Sequence, residues 1–381
     1  MEVKLKILIV TDKFKGSLTA LEAAESIKNG LLRSSGDFEI NVLPMADGGD
    51  GTIDVIRSSA GGELKCVKVL DPLKKEVFAH YLAKDKMVFI EMAKCSGLQL
   101  LTPDEYNPLK ATTYGLGQMI LAAAGSNVEE IILGIGGSAT NDGGLGVLRA
   151  LGYKFTGRDG KETANLAEVA GIDGRDVNKN LGSVKFKVAC DVNNPLLGKH
   201  GATRVYGPQK GADSKMVEEL ESGMKNWAGV CEQYLGKNYA NFPGAGAAGG
   251  TGFALMGFLK AEMLPGWRVL SEVTDLERRV ERADLVITGE GSVDQQSISG
   301  KLIDGVAAIA KKYSKPLWVY CGINNLTKHQ LKKRGIERLF SISDIEKDKS
   351  TSMKKAKVYL EKISYNSATF LTNFQSNRQT D

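Results

Sequence analysis

The chain has 381 residues, of which 42% are apolar and 25% charged, and its formal net charge is +5. That length exceeds one ordinary domain, and that apolar share excludes wholesale disorder. The basic excess is mild and forms no block, which argues against a nucleic-acid stripe and suits small anionic ligands.

Cysteine and histidine usage narrows the chemistry further. There are five cysteines with no CxxC, and His80, His200 and His329 lie far apart. A disulfide framework, a zinc site and a Ser–His triad are therefore poor expectations, and a reducing, cytoplasmic setting fits. Cys66, Cys190 and Cys321 sit in or beside apolar runs and are expected to be buried. The first ten residues lack a signal-peptide core, and no run approaches the ~18–20 apolar residues of a membrane span. The clusters Lys84–Lys86, Arg278–Arg282 and Lys332–Arg334 are broken by acids or apolar residues and read as solvated faces.

Along the chain, short runs rich in Ile, Val and Leu predict strands at Lys4–Val10, Lys65–Leu70, Met87–Glu91, Glu130–Leu133, Val184–Cys190, Ala283–Thr288, Pro316–Cys321 and Arg338–Ile342. Helical spacing follows the first strand in Leu21, Ala24, Ile27 and Leu31, opened by the capping-box pair Thr19 and Glu22. Further helices are expected at 112–124, 144–151, 215–234, 301–313 and 353–370. Strands alternating with helices imply parallel β-α-β units and an α/β protein. The first strand–helix unit and the strand-rich end read as one sheet, residues 1–74 and 284–381. Residues 75–283 would then be an inserted second α/β domain.

Glycine carries the strongest compositional signal, 44 residues against a usual share of ~7%. The glycines cluster in loops after strands, where open parallel sheets bind ligands. Thr11–Ser17 joins a strand to a helix start, with Lys15 supplying charge and Gly16 close approach, although no Walker A motif occurs anywhere. In Ala46–Thr52, Asp47 and Asp50 bracket a glycine pair, which suits Mg²⁺ or activation of a hydroxyl. Gly134–Gly144 contains G-x-G-x-x-A, a weak dinucleotide fingerprint. Its Ser138, Thr140, Asn141 and Asp142 look more like a cradle for phosphates and a metal. The small residues at 244–249 suit tight backbone packing. Asp191 closes a buried strand, and Thr288–Asp294 leads through Ser297 to Lys301. Phosphoryl transfer needs this inventory of cations, carboxylates and glycines. A nucleotide-cofactor oxidoreductase is the rival enzyme, and a nucleotide-binding scaffold the rival non-enzyme.

The same loops, in this order, resemble the bacterial glycerate kinases. The resemblance rests on DKFKGSLTA (Asp12–Ala20), PMADGGDGT (Pro44–Thr52), IEMAKCSGLQL (Ile90–Leu100), NPLKATTYGLG (Asn107–Gly117), GIGGSATNDGGLG (Gly134–Gly146), DVNNPLLG (Asp191–Gly198), YGPQKGA (Tyr206–Ala212), PGAGAAGG (Pro243–Gly250) and DLVITGEGSVDQQSISGK (Asp284–Lys301). It spans about residues 4–345. It implies phosphorylation of D-glycerate by ATP with Mg²⁺, usually to 2-phosphoglycerate. It also implies two α/β domains, one Rossmann-like with a parallel sheet, placed at residues 1–74 and 284–381, and one flavodoxin-like, with the active site in the cleft between them. The family commonly has Thr where Ser297 stands, which keeps the hydroxyl.

Within that frame Asp47, Asp191 and Lys15 are expected to be catalytic, with Asp47, Asp191 and Asp294 as candidate Mg²⁺ ligands. Which of Asp47 and Asp191 is base and which ligand stays open. Ser17, Gly136, Gly137, Ser138, Glu290 and Lys301 are expected around ATP. The expected partner is a small molecule, with no nucleic acid and no membrane, and assembly of identical copies is left open.

Overall fold

The computed structural model describes residues 4–34, 36–45, 49, 51–125, 127–295, 297–298 and 300–371. Its strands are β1 (Leu5–Thr11), β2 (Phe38–Val42), β3 (Glu63–Leu70), β4 (Glu76–Lys84), β5 (Met87–Glu91), β6 (Glu130–Gly134), β7 (Lys154–Gly157), β8 (Val169–Asp173), β9 (Lys185–Ala189), β10 (Glu262–Leu264), β11 (Leu285–Val293), β12 (Leu317–Asn324) and β13 (Ile336–Ser341). By contacts the chain forms two compact units: residues 1–46 with 267–381, and residues 47–266. The first division falls before β3 because β3 pairs antiparallel with β4 along its whole length, from Glu63↔Ala83 to Leu70↔Glu76. The stretch 47–74, expected with the N-terminal strand, therefore goes with the continuous unit.

The discontinuous unit is built on one parallel sheet in the order β13-β12-β11-β1-β2. Strand β1, LKILIVT, lies between β11 and β2 and is buried at every position but Lys6, as a sheet covered on both faces requires. The helix Ala20–Leu32 lays Ala23, Ala24, Ile27 and Leu31 on Ile7 and Ile9. Each such aliphatic side chain contributes roughly 1.5–3 kcal/mol by leaving water. Thr19 and Glu22 form the capping box that starts this helix. Counted within the sheet, the strand order is 2-1-3-4-5. That is the flavodoxin-like doubly wound order, not the Rossmann order expected for this part of the chain. A single strand, β2, lies on one side of β1 and three follow on the other. The topological switch point therefore falls between β1 and β11.

The continuous unit carries a six-stranded sheet, β10-β9-β6-β5-β4-β3. Strands β5, β6, β9 and β10 run parallel, and the β3–β4 hairpin closes one edge antiparallel. Val88, Ile90, Ile131, Leu133, Phe186 and Val188 form its core with Leu116, Met119 and Ile120 of the helix Tyr114–Ala123. A second core gathers Phe155, Leu196, Trp227 and Phe253. The open face of the hairpin carries Cys66 opposite His80. Cys66 is consequently exposed, against expectation, whereas Cys190 is half-buried and Cys321 buried.

Candidate active site

In the discontinuous unit, two loops leave the carboxyl ends of neighbouring strands at the switch point. Thr11 pairs with Gly289, and Asp12 N–H donates to the Gly289 carbonyl at 2.9 Å. A β-carbon on Gly291 would lie 3.1 Å from the Lys15 backbone nitrogen, so the loop after β1 meets the end of β11 backbone to backbone. Lys15 is exposed on the turn, and Gly16 has φ +74°. The Ser17 hydroxyl donates to the Met353 carbonyl at 2.9 Å. The following helix start is already served by its own acid: the Glu22 carboxylate accepts from the Thr19 N–H at 2.8 Å. What this loop offers an anion is thus the Lys15 ammonium rather than the helix N-terminus.

Near the end of β11 itself, opposite Cys321, Glu290 is half-buried, and among the described residues its Oε1 has no hydrogen-bond partner. Burial pushes its carboxyl up to about 7. The Ser297 hydroxyl and Lys301 pull it down, while the negative charges of Asp12 and Asp294 push it further up. Asp294 and Ser297 exchange bonds: each N–H donates to the other's side-chain oxygen at 3.1 Å. Lys301 is exposed at the start of the helix Leu302–Lys312.

In the continuous unit the parallel register sets Glu91 opposite Gly134 and Gly134 opposite Ala189. The loops after β5, β6 and β9 therefore leave from one sheet edge. The turn after β6 is pinned by Leu98 N–H donating to Gly137 O and Ala139 N–H donating to Ser96 O, both at 2.9 Å. Gly137 sits at φ +72°, exposed, in a conformation that suits glycine. Among the described residues no protein acceptor takes the N–H of Gly136, Gly137 or Ser138. Three successive donors without a protein acceptor follow a strand's carboxyl end, a composition that suits an oxyanion. Ala139 is tied to Ser96 and the helix begins only at Leu145, so the fingerprint lacks its helix start and the oxidoreductase reading loses its footing.

Asp142 serves the loop itself. It accepts the N–H groups of Thr113, Gly144 and Gly146 at 2.8, 3.1 and 3.2 Å, and the Thr113 hydroxyl at 2.8 Å. Burial raises its carboxyl above the ordinary range and these donors offset the rise. It is spent on backbone rather than on a metal. Asp191 follows β9 and is exposed, and its Oδ1 accepts the Gly266 N–H at 2.9 Å. Asp47 lies outside the described residues.

Glu91 and Lys210 are buried ionisable residues of this unit that the sequence did not single out. Glu91 is 2% exposed and accepts the Ile53 N–H at 2.7 Å, in the first turn of the helix Thr52–Ala60. Its signal was available: an acid closing the apolar run Met87–Glu91. Lys210 is 2% exposed. Its Nζ donates to Ser138 Oγ at 2.9 Å and to the Thr140 carbonyl at 2.6 Å. Burial lowers this ammonium to about 7, against an upward pull from Asp142. Only the motif YGPQKGA marked it. Among the described residues no three His, Cys, Asp or Glu side chains gather at metal-ligand spacing. No helix among them is long and apolar enough to cross a membrane.

Parallel α/β sheets whose strand-end loops present free N–H groups, lysines and carboxylates define an enzyme that handles small oxyanions. The family model described as "Glycerate kinase family" matches residues 7–372, and the chain belongs to that family. It is accordingly a phosphotransferase acting on an alcohol group. It is 44% identical to a glycerate kinase of Halalkalibacterium halodurans over 88% of this chain and 90% of that one. Against the glycerate 2-kinase of Escherichia coli K12 it is 41% identical, over 89% and 90%. A crystal structure assigned to glycerate kinase 2 of Salmonella typhimurium LT2 superposes with a TM-score of 0.82 at 38% identity, covering 98% of this chain and 100% of that one.

Proposed function

We propose that the protein moves the γ-phosphoryl group of ATP, with Mg²⁺, onto a hydroxyl of D-glycerate. The products are ADP and phosphoglycerate, with 2-phosphoglycerate favoured by the likeness to a relative named glycerate 2-kinase. The observation that carries the reading is the turn Gly136–Ser138. Its three unspent N–H groups suit the oxygens of a carboxylate or a phosphate and little else. Charge-assisted hydrogen bonds of this kind are worth roughly 1.5–3 kcal/mol each, enough for one turn to fix a small anion.

Lys15 supplies a positive charge toward phosphate oxygens, and Glu290 and Lys301, which attract one another, are assigned to the nucleotide. Ser17, its proton given to Met353, offers only lone pairs, which suits a hydroxyl or metal-bound water better than phosphate. Mg²⁺ is held in such enzymes by one or two carboxylates together with phosphate oxygens and water. The donor chemistry of Asp191 and Asp294 fits that requirement, and Asp47 is a further candidate. When bound, the ion neutralises charge on the phosphates. Asp191 is the preferred hydroxyl-activating base because it stands exposed at a strand's carboxyl end.

The test is to incubate the protein with ATP, Mg²⁺ and D-glycerate and identify the product by ³¹P and ¹³C NMR. Stoichiometric ADP and 2-phosphoglycerate support the reading. The 3-phospho isomer corrects the regiochemistry, and no glycerate-dependent ADP overturns it.

A further inference from the structure

We propose that Lys210 is a positioning residue acting through Ser138. It holds the Ser138 oxygen as an acceptor, so that the hydroxyl proton joins the N–H groups of Gly136, Gly137 and Ser138 on one oxyanion of the reactants. The inference rests on the reaction proposed above and adds a residue to it.

Lysine is almost never fully buried without a charged partner. Lys210 is buried all the same; Asp142 attracts it electrostatically, but its hydrogen bonds go to a hydroxyl and a carbonyl rather than to that carboxylate. Packing alone would be served as well or better by an apolar side chain of similar volume. The geometry gives the ammonium a directional task. A hydroxyl carries one proton and two lone pairs. The Lys210 contact occupies a lone pair of Ser138 Oγ, and no protein acceptor among the described residues takes the Ser138 proton. Ser138 itself is held by an antiparallel bridge to Gly97. Its hydroxyl is therefore a donor fixed next to three backbone donors.

The anchor on the other side of Lys210 is equally built. The Thr140 carbonyl that receives its second hydrogen bond lies where a β-carbon on Gly249 would sit, at 2.0 Å. Ala248, Gly249 and Gly250 all have positive φ, forming a left-handed turn that presses backbone against the 140–143 segment. Gly143 N–H closes the contact by donating to Gly249 O at 2.9 Å. Lys210 thus spans a rigid carbonyl and a hydroxyl that, among the described residues, no other protein group orients.

The oxyanion has two sources, the carboxylate of the acceptor and a phosphate of the nucleotide, and the experiment separates them. The variants are Ser138→Ala, Lys210→Met, Lys210→Gln and the double variant Ser138→Ala/Lys210→Met. For each, KM for D-glycerate and for ATP is measured separately, with thermal melting alongside. Ser138→Ala and Lys210→Met should raise KM for the same one substrate by on the order of ten- to a hundredfold, the loss of one charge-assisted hydrogen bond. The double variant should be no worse than the more affected single variant. Lys210→Gln, which keeps a donor, should recover part of the loss. A shift confined to glycerate assigns the carboxylate, and one confined to ATP assigns a phosphate.

The proposal is overturned if the two effects multiply, if they fall on different substrates, or if only melting changes. Should neither Lys210 variant fold, Ser138→Ala decides: an unchanged KM for both substrates overturns the proposal. Wild-type turnover reports on the reaction itself, so its absence sinks the functional reading, whereas the ratios among variants bear on Lys210 alone.

Discussion

The proposed role of Asp191 can be tested apart from its structural one. Oδ1 holds the Gly266 N–H, and an asparagine would keep that acceptor while removing the charge. Asp191→Asn should therefore lower kcat by roughly 10²–10⁴, the usual contribution of a positioned base, with the melting temperature unchanged. Wild-type kcat in that variant removes Asp191 from the chemistry. Glu290 makes a prediction about pH. Its folded-state carboxyl, near 7, lies above the ordinary glutamate value of 4.5, so the native state binds the extra proton between those values. The associated stability is complete below about pH 4.5 and is lost as pH rises through 7, by at most ~3 kcal/mol. Denaturant midpoints at pH 5 and pH 8 should show this fall in the wild type and not in Glu290→Gln. The acids and glycines of these loops were legible because strand ends are marked by apolar runs that stop at polar residues. Lys210 was not. It is a lone lysine in the short turn Pro208–Lys210, and its partners lie about seventy residues earlier, so burial by tertiary contact left no local pattern.

Elements with a strong internal period were legible to within one or two residues. Helices expected at 112–124, 215–234 and 301–313 are Tyr114–Ala123, Ser214–Leu235 and Leu302–Lys312. Strand β4 was not anticipated. Glu, His and Lys interrupt it, and as part of an edge hairpin it buries only Ala79 and Leu82. The segment 353–370 splits instead into Lys349–Lys354 and Ala356–Ser367. The glycine-rich stretch 243–252 could be read as close packing but not as a left-handed turn, because φ at Ala248 is imposed by its surroundings. Gly249→Ala combines a positive φ with a β-carbon 2.0 Å from the Thr140 carbonyl. It should cost about 2–4 kcal/mol by denaturation, mostly through displacement of the 140–143 backbone. A stable Gly249→Ala with unaltered kinetics would show that this contact constrains nothing.

For the molecule as a whole, the α/β class followed from alternation alone, while the strand order of each sheet did not, since pairing partners are up to 278 residues apart. The order matters for function: it puts a switch point between β1 and β11, where the Lys15 loop leaves beside Glu290 near the end of β11. It also leaves residues 47–266 as one continuous segment with its own sheet and two cores. Expressed alone, that segment should unfold cooperatively in denaturant, and a broad, non-cooperative transition would contradict its autonomy. The most direct measurement follows the backbone amide resonances of Gly136, Gly137 and Ser138 by TROSY NMR in the full-length protein. D-glycerate and Mg²⁺–ATP are titrated in separate samples. Saturable downfield shifts of all three amide protons with one of the two ligands are the predicted result, and three resonances that stay in place with both would contradict the account.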